Sequence, residues 1–183
     1  MNGRRLPLLF VSGYQINAQL PYGPAGQATL RVSTPNSSAE AQIVTAPAAP
    51  AIVNLPNGFD VAPAVVRSSG GALVSAASPA SGGEYVTVYM VGLGPVDGSI
   101  AAGDPAPGQP PLRALYPVEI RIGGASVTPA FAGLTPGFAG LYQVNVRIPE
   151  GLPAGIHALR VVVNGMDSDP VSLFVESASG SGK

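Results

Sequence analysis

The chain has 183 residues, a net charge of −1 and 10 % charged residues, while 46 % of its residues are hydrophobic. This balance supplies apolar material for a core and argues against wholesale disorder. The absence of cysteine excludes a disulfide framework and a thiolate nucleophile, and the single lysine, at the terminal position, excludes a lysine-dependent phosphate-binding loop. Because the chain has no excess of basic residues, we expect no nucleic-acid partner.

Short segments of alternating polar and apolar residues begin near the start of the chain. In the first part they lie at 6–11, 14–21, 27–33 and 40–45, and the alternation predicts β-strands. The apolar run at 6–11 is too short for a signal-peptide core, and no apolar stretch reaches the roughly 20 residues of a membrane span. Prolines at 47, 50 and 56 predict an extended linker over 47–58.

After the linker the same pattern continues. It predicts strands at 61–67, 72–77, 84–91, 117–122, 142–149, 157–163 and 170–175. No window keeps an apolar stripe of helical period, so the sequence predicts an all-β fold. The Ser/Gly-rich segment 177–183 is predicted to be a flexible tail.

The chain also repeats itself. The segment GYQINAQLP (13–21) returns as GLYQVNVRIP (140–149), and AGQATLRV (25–32) returns as AGIHALRV (154–161). With its flanking segments, the repeat aligns a first copy, residues 2–44, with a second copy, residues 123–174.

The two copies are not equally complete, because further predicted strands precede the second copy alone. We therefore predict two β-sandwiches in tandem, a partial one over 1–46 and a complete one over 59–176. A partial sandwich has an open sheet edge and an uncovered apolar face. Three explanations stay open: the chain is a piece of a longer protein, the partial domain packs on its neighbour, or another chain supplies strands.

Three segments carry a family resemblance: VYMVGLGPV (88–96), IGGASVTPAFAGLTPGFAGLYQVNVRIP (122–149) and NGMDSDPVSLFV (164–175). They resemble a C-terminal domain of Acidobacteria that is known chiefly from Solibacter-type large secreted proteins. The resemblance implies paired immunoglobulin-like sandwiches on exported proteins, and it brings no catalytic residues to this chain. It leads us to expect a secreted or cell-surface bacterial protein whose signal peptide is not in this chain.

The repeated YQ-x-N motif is the first candidate site. On a strand, Tyr142, Val144, Val146 and Ile148 share one face, and the polar residues Gln143, Asn145 and Arg147 share the other. Such a polar row would bind a protein or glycan ligand. We favour an architectural role, in which Gln143 and Asn145 satisfy backbone groups of the preceding loop, because the motif repeats with a whole structural unit.

The acidic residues offer a candidate metal site. Asp97 and Asp104 lie in one predicted loop, and Asp167 and Asp169 lie in a predicted turn. Loops at one end of a sandwich can converge on Ca²⁺, so calcium is a candidate cofactor, although the sequence requires none. The alternative is that aspartate favours turns for backbone reasons.

His157 is the only histidine. A hydrolase that needs a histidine base must use it, but no G-x-S-x-G nucleophile motif is present. The hydrolase hypothesis is therefore metal-assisted: calcium polarises an ester or lactone carbonyl, with His157, Asp97 or Asp104 as the catalytic set. The glycines of GLGPVDG (92–98) have the wrong spacing for a dinucleotide site and predict a turn.

These observations favour a non-enzymatic adhesion, spacer or binding module of an exported bacterial protein, with recognition by the loops 92–116 and 132–141. A calcium-dependent ester or lactone hydrolase is one alternative. Another is an assembly subunit completed by strand exchange, which would form a homo-oligomer through the partial first sandwich.

Overall fold

The computed structural model of the chain describes residues 1–22, 25–58 and 60–176, and the predicted tail at 177–183 lies outside them. The all-β prediction is confirmed, because these residues form strands, turns and loops without a helix. No helix that could span a membrane was therefore found in this part of the chain. The strands are β1 Leu8–Val11, β2 Ile16–Ala18, β3 Gly26–Ser33, β4 Ser38–Thr45, β5 Ala51–Ile52, β6 Asn54–Asn57, β7 Asp60–Pro63, β8 Val65–Arg67, β9 Tyr85–Val91, β10 Val118–Ile122, β11 Ala125–Val127, β12 Phe131–Leu134, β13 Tyr142–Arg147, β14 Gly155–Val163, β15 Met166–Asp167 and β16 Val171–Val175.

Ten strands of the C-terminal part form two antiparallel five-stranded sheets. In the first sheet, β9 is central: one edge pairs with β13, which pairs with β12, and the other edge pairs with β5 and β8. In the second sheet, β14 is central: one edge pairs with β10, which pairs with β11, and the other edge pairs with β15 and β16.

Both sheets contribute one face to a common core. Along β9 the alternate residues Val86, Val88 and Met90 are fully buried, whereas Tyr85 and Val91 at its ends are exposed. The second sheet adds a matching set to the same core: Ile120, Ile122, Leu159, Val161, Val163 and Leu173. Since burying one such side chain contributes about 1.5–3 kcal/mol, the alternation that predicts the strands also holds the sheets together.

Residues 47–58, predicted as a linker, contribute to the sheets. Strand β5 pairs with the end of β9, and β6 pairs with β7. Ala48 is buried, and the Ala49 amide donates a hydrogen bond of 2.8 Å to the Gly92 carbonyl. This approach requires glycine, because Gly92 has φ +82° and a Cβ there would lie 1.8 Å from the Ala49 carbonyl oxygen.

The strand predicted at 72–77 is not formed. Leu73 and Ser75 make only isolated bridges, to Val66 and Ser78. The segment turns back on its own neighbours, so it has no long partner strand to extend it. The division of the chain into domains stays a prediction.

The sequence repeat is also a repeat of structure. The pair β1–β2 has the register Phe10↔Asn17, and the pair β12–β13 has the equivalent register Phe131↔Asn145. Likewise β3 pairs with β4, as β14 pairs with β16. Each copy therefore contains the same two hairpin-like pairs.

The turn that begins each copy makes an equivalent hydrogen bond. The Asn2 amide donates to the Thr29 carbonyl at 3.0 Å, and the Gly123 amide donates to the Ala158 carbonyl at 3.0 Å. Thr29 and Ala158 are aligned positions, and both Asn2 and Gly123 have a left-handed backbone, with φ of +47° and +57°. The two copies thus share turn geometry as well as strand register.

The first copy differs in what surrounds it. In the described residues, β1–β2 and β3–β4 are separate two-stranded sheets, without counterparts of the β9 and β10 that complete the second copy. In this part of the chain no strand pairs with the outer edge of β2 or β3. Such edges present unpaired backbone donors and acceptors.

Candidate functional site

The YQ-x-N strand has the predicted two faces. Tyr142, Val144 and Val146 are buried, whereas Gln143 and Asn145 are half-buried on the opposite face. The Tyr142 hydroxyl donates to the carbonyl oxygen of Gly94 in the turn that follows β9. Burial raises the pKa of Tyr142 above its usual range, and the nearby Tyr22 adds to the rise.

At Asn145 the structure differs from the backbone bonding that we favoured from the sequence. Asn145 Oδ1 is buried and has no hydrogen-bond partner among the described residues. In the first copy, Gln15 Nε2 instead donates to Asn17 Oδ1 at 2.6 Å. Arg147 is engaged at the end of its strand, where it contacts Glu150 Oε1 at 2.5 Å. Ligand binding by Gln143, Asn145 and Arg147 stays a prediction.

The residues of the hydrolase hypothesis lie at different ends of the sheets. Asp97 Oδ1 accepts the Arg113 amide at 2.8 Å in the loop after β9, and Asp104 is exposed in a turn of the same loop. His157 lies near the start of β14, where its Nε2 is 2.8 Å from the Pro153 carbonyl oxygen and its ring packs beside Gly123. The start of β14 lies at the opposite end of the second sheet from this loop. The loop leads into the first residue of β10, and because β10 runs antiparallel to β14, that residue lies beside the end of β14.

Asp167 belongs to a charged cluster on the outer face of the second sheet. Its carboxylate lies 3.7 Å from Arg121 and 3.9 Å from Arg160. Arg121 also donates to Glu119 at 2.9 Å, and this hydrogen bond holds the pKa of Glu119 below its usual value. A cation at Asp167 would compete with two guanidinium groups.

The four aspartates do not gather around one point. Asp169 is exposed beyond the charged cluster, and Asp97 and Asp104 lie on the separate loop. In residues 1–22, 25–58 and 60–176, no group of three or more His, Cys, Asp or Glu side chains is placed to hold a metal ion. Calcium binding stays a prediction.

The loops predicted for recognition are partly covered by the first copy. Gln19 is buried, and its Oε1 accepts the Gly103 amide at 2.8 Å. A Cβ on Gly140 would lie 2.9 Å from Gln19 Cδ, so the second loop also contacts this side chain. Pro7 packs against Gly103. The sequence indicated none of these contacts, because no local pattern distinguishes Gln19 from the other amides.

Tyr22 extends the same contact into the core of the C-terminal part. Burial raises the pKa of its hydroxyl, and the nearby Gln19 side chain offsets part of the rise. Neither the Tyr22 hydroxyl nor Gln19 Nε2 has a hydrogen-bond partner of normal geometry in the described residues. The first copy is thus attached by both apolar packing and polar contacts.

The clearest exposed feature is the apolar face of the first copy. Tyr14 is 102 % exposed, whereas its repeat equivalent Tyr142 is 3 % exposed. Ile16 is 45 % exposed, whereas its equivalent Val144 is fully buried. Other large apolar residues of the first copy are exposed as well: Leu8, Leu9, Phe10, Val11, Leu20, Val32 and Val44. An accumulation of exposed apolar side chains of this kind is typical of an interaction site.

Comparison of the chain with models of protein families, with curated proteins and with solved structures found no match. The function is therefore inferred from the geometry of this chain.

Proposed function

We propose that this chain is a non-enzymatic binding module that engages a protein partner through the exposed apolar face of its first copy. The observation that carries the proposal is the contrast between Tyr14 and Tyr142, and between Ile16 and Val144, at equivalent positions of the repeat. Residues that form a core in one copy are exposed in the other. Covering them with a partner would remove apolar surface from water, which contributes a favourable free energy of about 25 cal/mol for each Å² buried.

The proposal includes the finer fold assignment of two immunoglobulin-like sandwiches in tandem, the first incomplete. Two facing sheets with a common core support it for the C-terminal part, and the matching strand registers support it for the first copy. Low charge and the resemblance to Solibacter-type domains support an exported or surface protein. The first copy partly covers the loops 92–116 and 132–141, at Gly103 and Gly140. This favours the exposed face of the first copy over these loops as the recognition surface.

The experiment that tests the non-enzymatic role is hydrolysis of a panel of chromogenic esters and acyl lactones by the full chain. It is run with calcium and with chelator, beside the variants His157→Ala and Asp97→Asn. We expect rates equal to the buffer blank in every arm. Turnover that disappears with chelator, or with either substitution, would overturn the proposal and establish a metal-assisted hydrolase.

A further inference from the structure

The second copy shows what covers this face when the fold is complete. There β9 lies antiparallel to β13, with Tyr142 opposite Met90 and Val144 opposite Val88. The pair β1–β2 has the same internal register as β12–β13. A strand added to the outer edge of β2 in the same way would place an apolar residue opposite Ile16, and Tyr14, in the turn that joins β1 to β2, would lie just beyond that pair. The alternating apolar residues of the added strand would then exclude water from the contact, as those of β9 do.

The tyrosine specifies what must follow that strand. In the second copy the Tyr142 hydroxyl donates to the carbonyl oxygen of Gly94, two residues beyond Gly92, which follows β9 directly. Gly92 and Gly94 have φ of +82° and +89°, a left-handed backbone that favours glycine. Tyr14, the equivalent tyrosine, is fully exposed. A Gly-x-Gly turn after the added strand would present the acceptor that its hydroxyl lacks.

We propose that the first copy binds a β-strand from another polypeptide, with alternating apolar residues followed by a Gly-x-Gly turn, which pairs antiparallel with β2. This inference rests on the proposed function and specifies the chemistry of its partner. The partner strand has the pattern of residues 84–94, EYVTVYMVGLG. Backbone hydrogen bonds to the free edge of β2 supply affinity, and the alternation supplies register.

A second molecule of this chain does not offer its β9 as that strand. Val86, Val88 and Met90 are fully buried in its own core. Releasing them would cost about 1.5–3 kcal/mol for each side chain. We therefore assign the strand to a partner other than the β9 of a second copy, one that carries this pattern in an accessible segment.

The test uses the full chain and a labelled synthetic peptide with the sequence of residues 84–94, at concentrations where the peptide alone is monomeric. Fluorescence anisotropy is expected to show saturable binding, and a peptide of the same composition with scrambled order is expected not to bind. Ile16→Asp buries an unpaired charge in the interface and should weaken binding at least about tenfold. Asn17→Asp adds the same charge one residue along, on the opposite face, and should bind as the unmodified chain does.

Tyr14 gives an independent readout of the Gly-x-Gly turn. Tyr14→Phe keeps the ring but removes the donor, and should weaken binding of the 84–94 peptide about twofold to tenfold. A peptide of residues 84–91 lacks the acceptor and should show the same loss with the unmodified chain. Tyr14→Phe should not weaken the binding of this shorter peptide any further. Equal effects of Tyr14→Phe on both peptides would contradict the assignment of the turn.

Three outcomes would overturn the strand assignment: no binding of the ordered peptide, equal binding of the scrambled peptide, or equal effects of Ile16→Asp and Asn17→Asp. A dimer that forms without peptide and is lost with Ile16→Asp would assign the face to a second copy of this chain instead. The strand assignment can fail in these ways while the ester and lactone panel stays flat. Failure of the partner chemistry is therefore distinguishable from failure of the non-enzymatic role.

Discussion

Gly92 joins residues 47–50 to the first sheet, and replacing it with alanine tests that role directly. Its φ of +82° places it in the left-handed region, and a Cβ there would lie 1.8 Å from a backbone oxygen, that of Ala49. No side-chain rotation relieves that contact, because the backbone fixes the position of Cβ and the oxygen belongs to the main chain. The connecting segment must therefore move, which breaks the hydrogen bond of 2.8 Å from Ala49 to Gly92.

The expected cost has two parts. An alanine in the left-handed region costs about 1–2 kcal/mol. Loss of the Ala49 hydrogen bond, with displacement of the buried Ala48 beside it, adds about 1–2 kcal/mol. For a chain of this length, each kcal/mol lowers Tm by about 2–4 °C, so we expect a fall of roughly 4–16 °C.

Scanning calorimetry of Gly92→Ala beside Gly165→Ala separates the two parts. Gly165 also has a left-handed φ, +75°, but nothing lies within 4 Å of a Cβ built there. Its substitution should show the backbone cost alone. If both variants melt at the same temperature, the close approach at Ala49 contributes nothing, and the reasoning is refuted.

Three further predictions concern single side chains. Because burial raises the pKa of Tyr142, the hydroxyl stays protonated to higher pH in the folded state than in the unfolded state. The contribution of Tyr142 to the free energy of unfolding is therefore complete below about pH 10, and above that pH it falls by about 1.4 kcal/mol per pH unit. Tyr142→Phe should flatten this alkaline loss in urea unfolding, while Tyr85→Phe, at an exposed position, should leave the slope unchanged. Glu84→Gln removes the negative charge from the half-buried partner of Arg67, 2.5 Å away, and should cost about 1–3 kcal/mol by urea unfolding; full stability would show that the charge of this pair contributes nothing. Gln19→Arg places a larger charged group in a buried contact and should increase proteolytic cleavage between the first copy and the rest of the chain; unchanged cleavage would contradict the attachment at Gln19.

Much of the strand content was predictable, because alternation is a local property. The segment 142–149 predicts its buried and outer faces correctly, since every second side chain of a strand points the same way. The short strands Ala51–Ile52 and Asn54–Asn57 were not predicted. They lie in a proline-containing segment, where Ala51–Ile52 pairs with the distant β9 and Asn54–Asn57 pairs with the neighbouring β7.

The candidate site was less predictable, because the sequence does not specify distances between segments. His157 and Asp97 are compatible as a catalytic pair in the sequence, but they lie on elements at opposite ends of the sheets. The contact from Gln19 to Gly103 joins residues 84 positions apart, and no periodicity reports such a contact. The open face of the first copy could be inferred from the repeat, because the predicted strands that precede the second copy have no counterparts beside the first.

The repeat also explains why the first copy stays attached while its core face remains free. Gln19 aligns with Arg147, and each lies at the end of the YQ-x-N strand. Arg147 is exposed and bonds to Gly83 and Glu150, whereas Gln19 is buried against the loops of the C-terminal part. The attachment therefore uses a strand end that has no core role in the second copy. Since it does not consume the core positions of the first copy, these positions remain available to a partner strand.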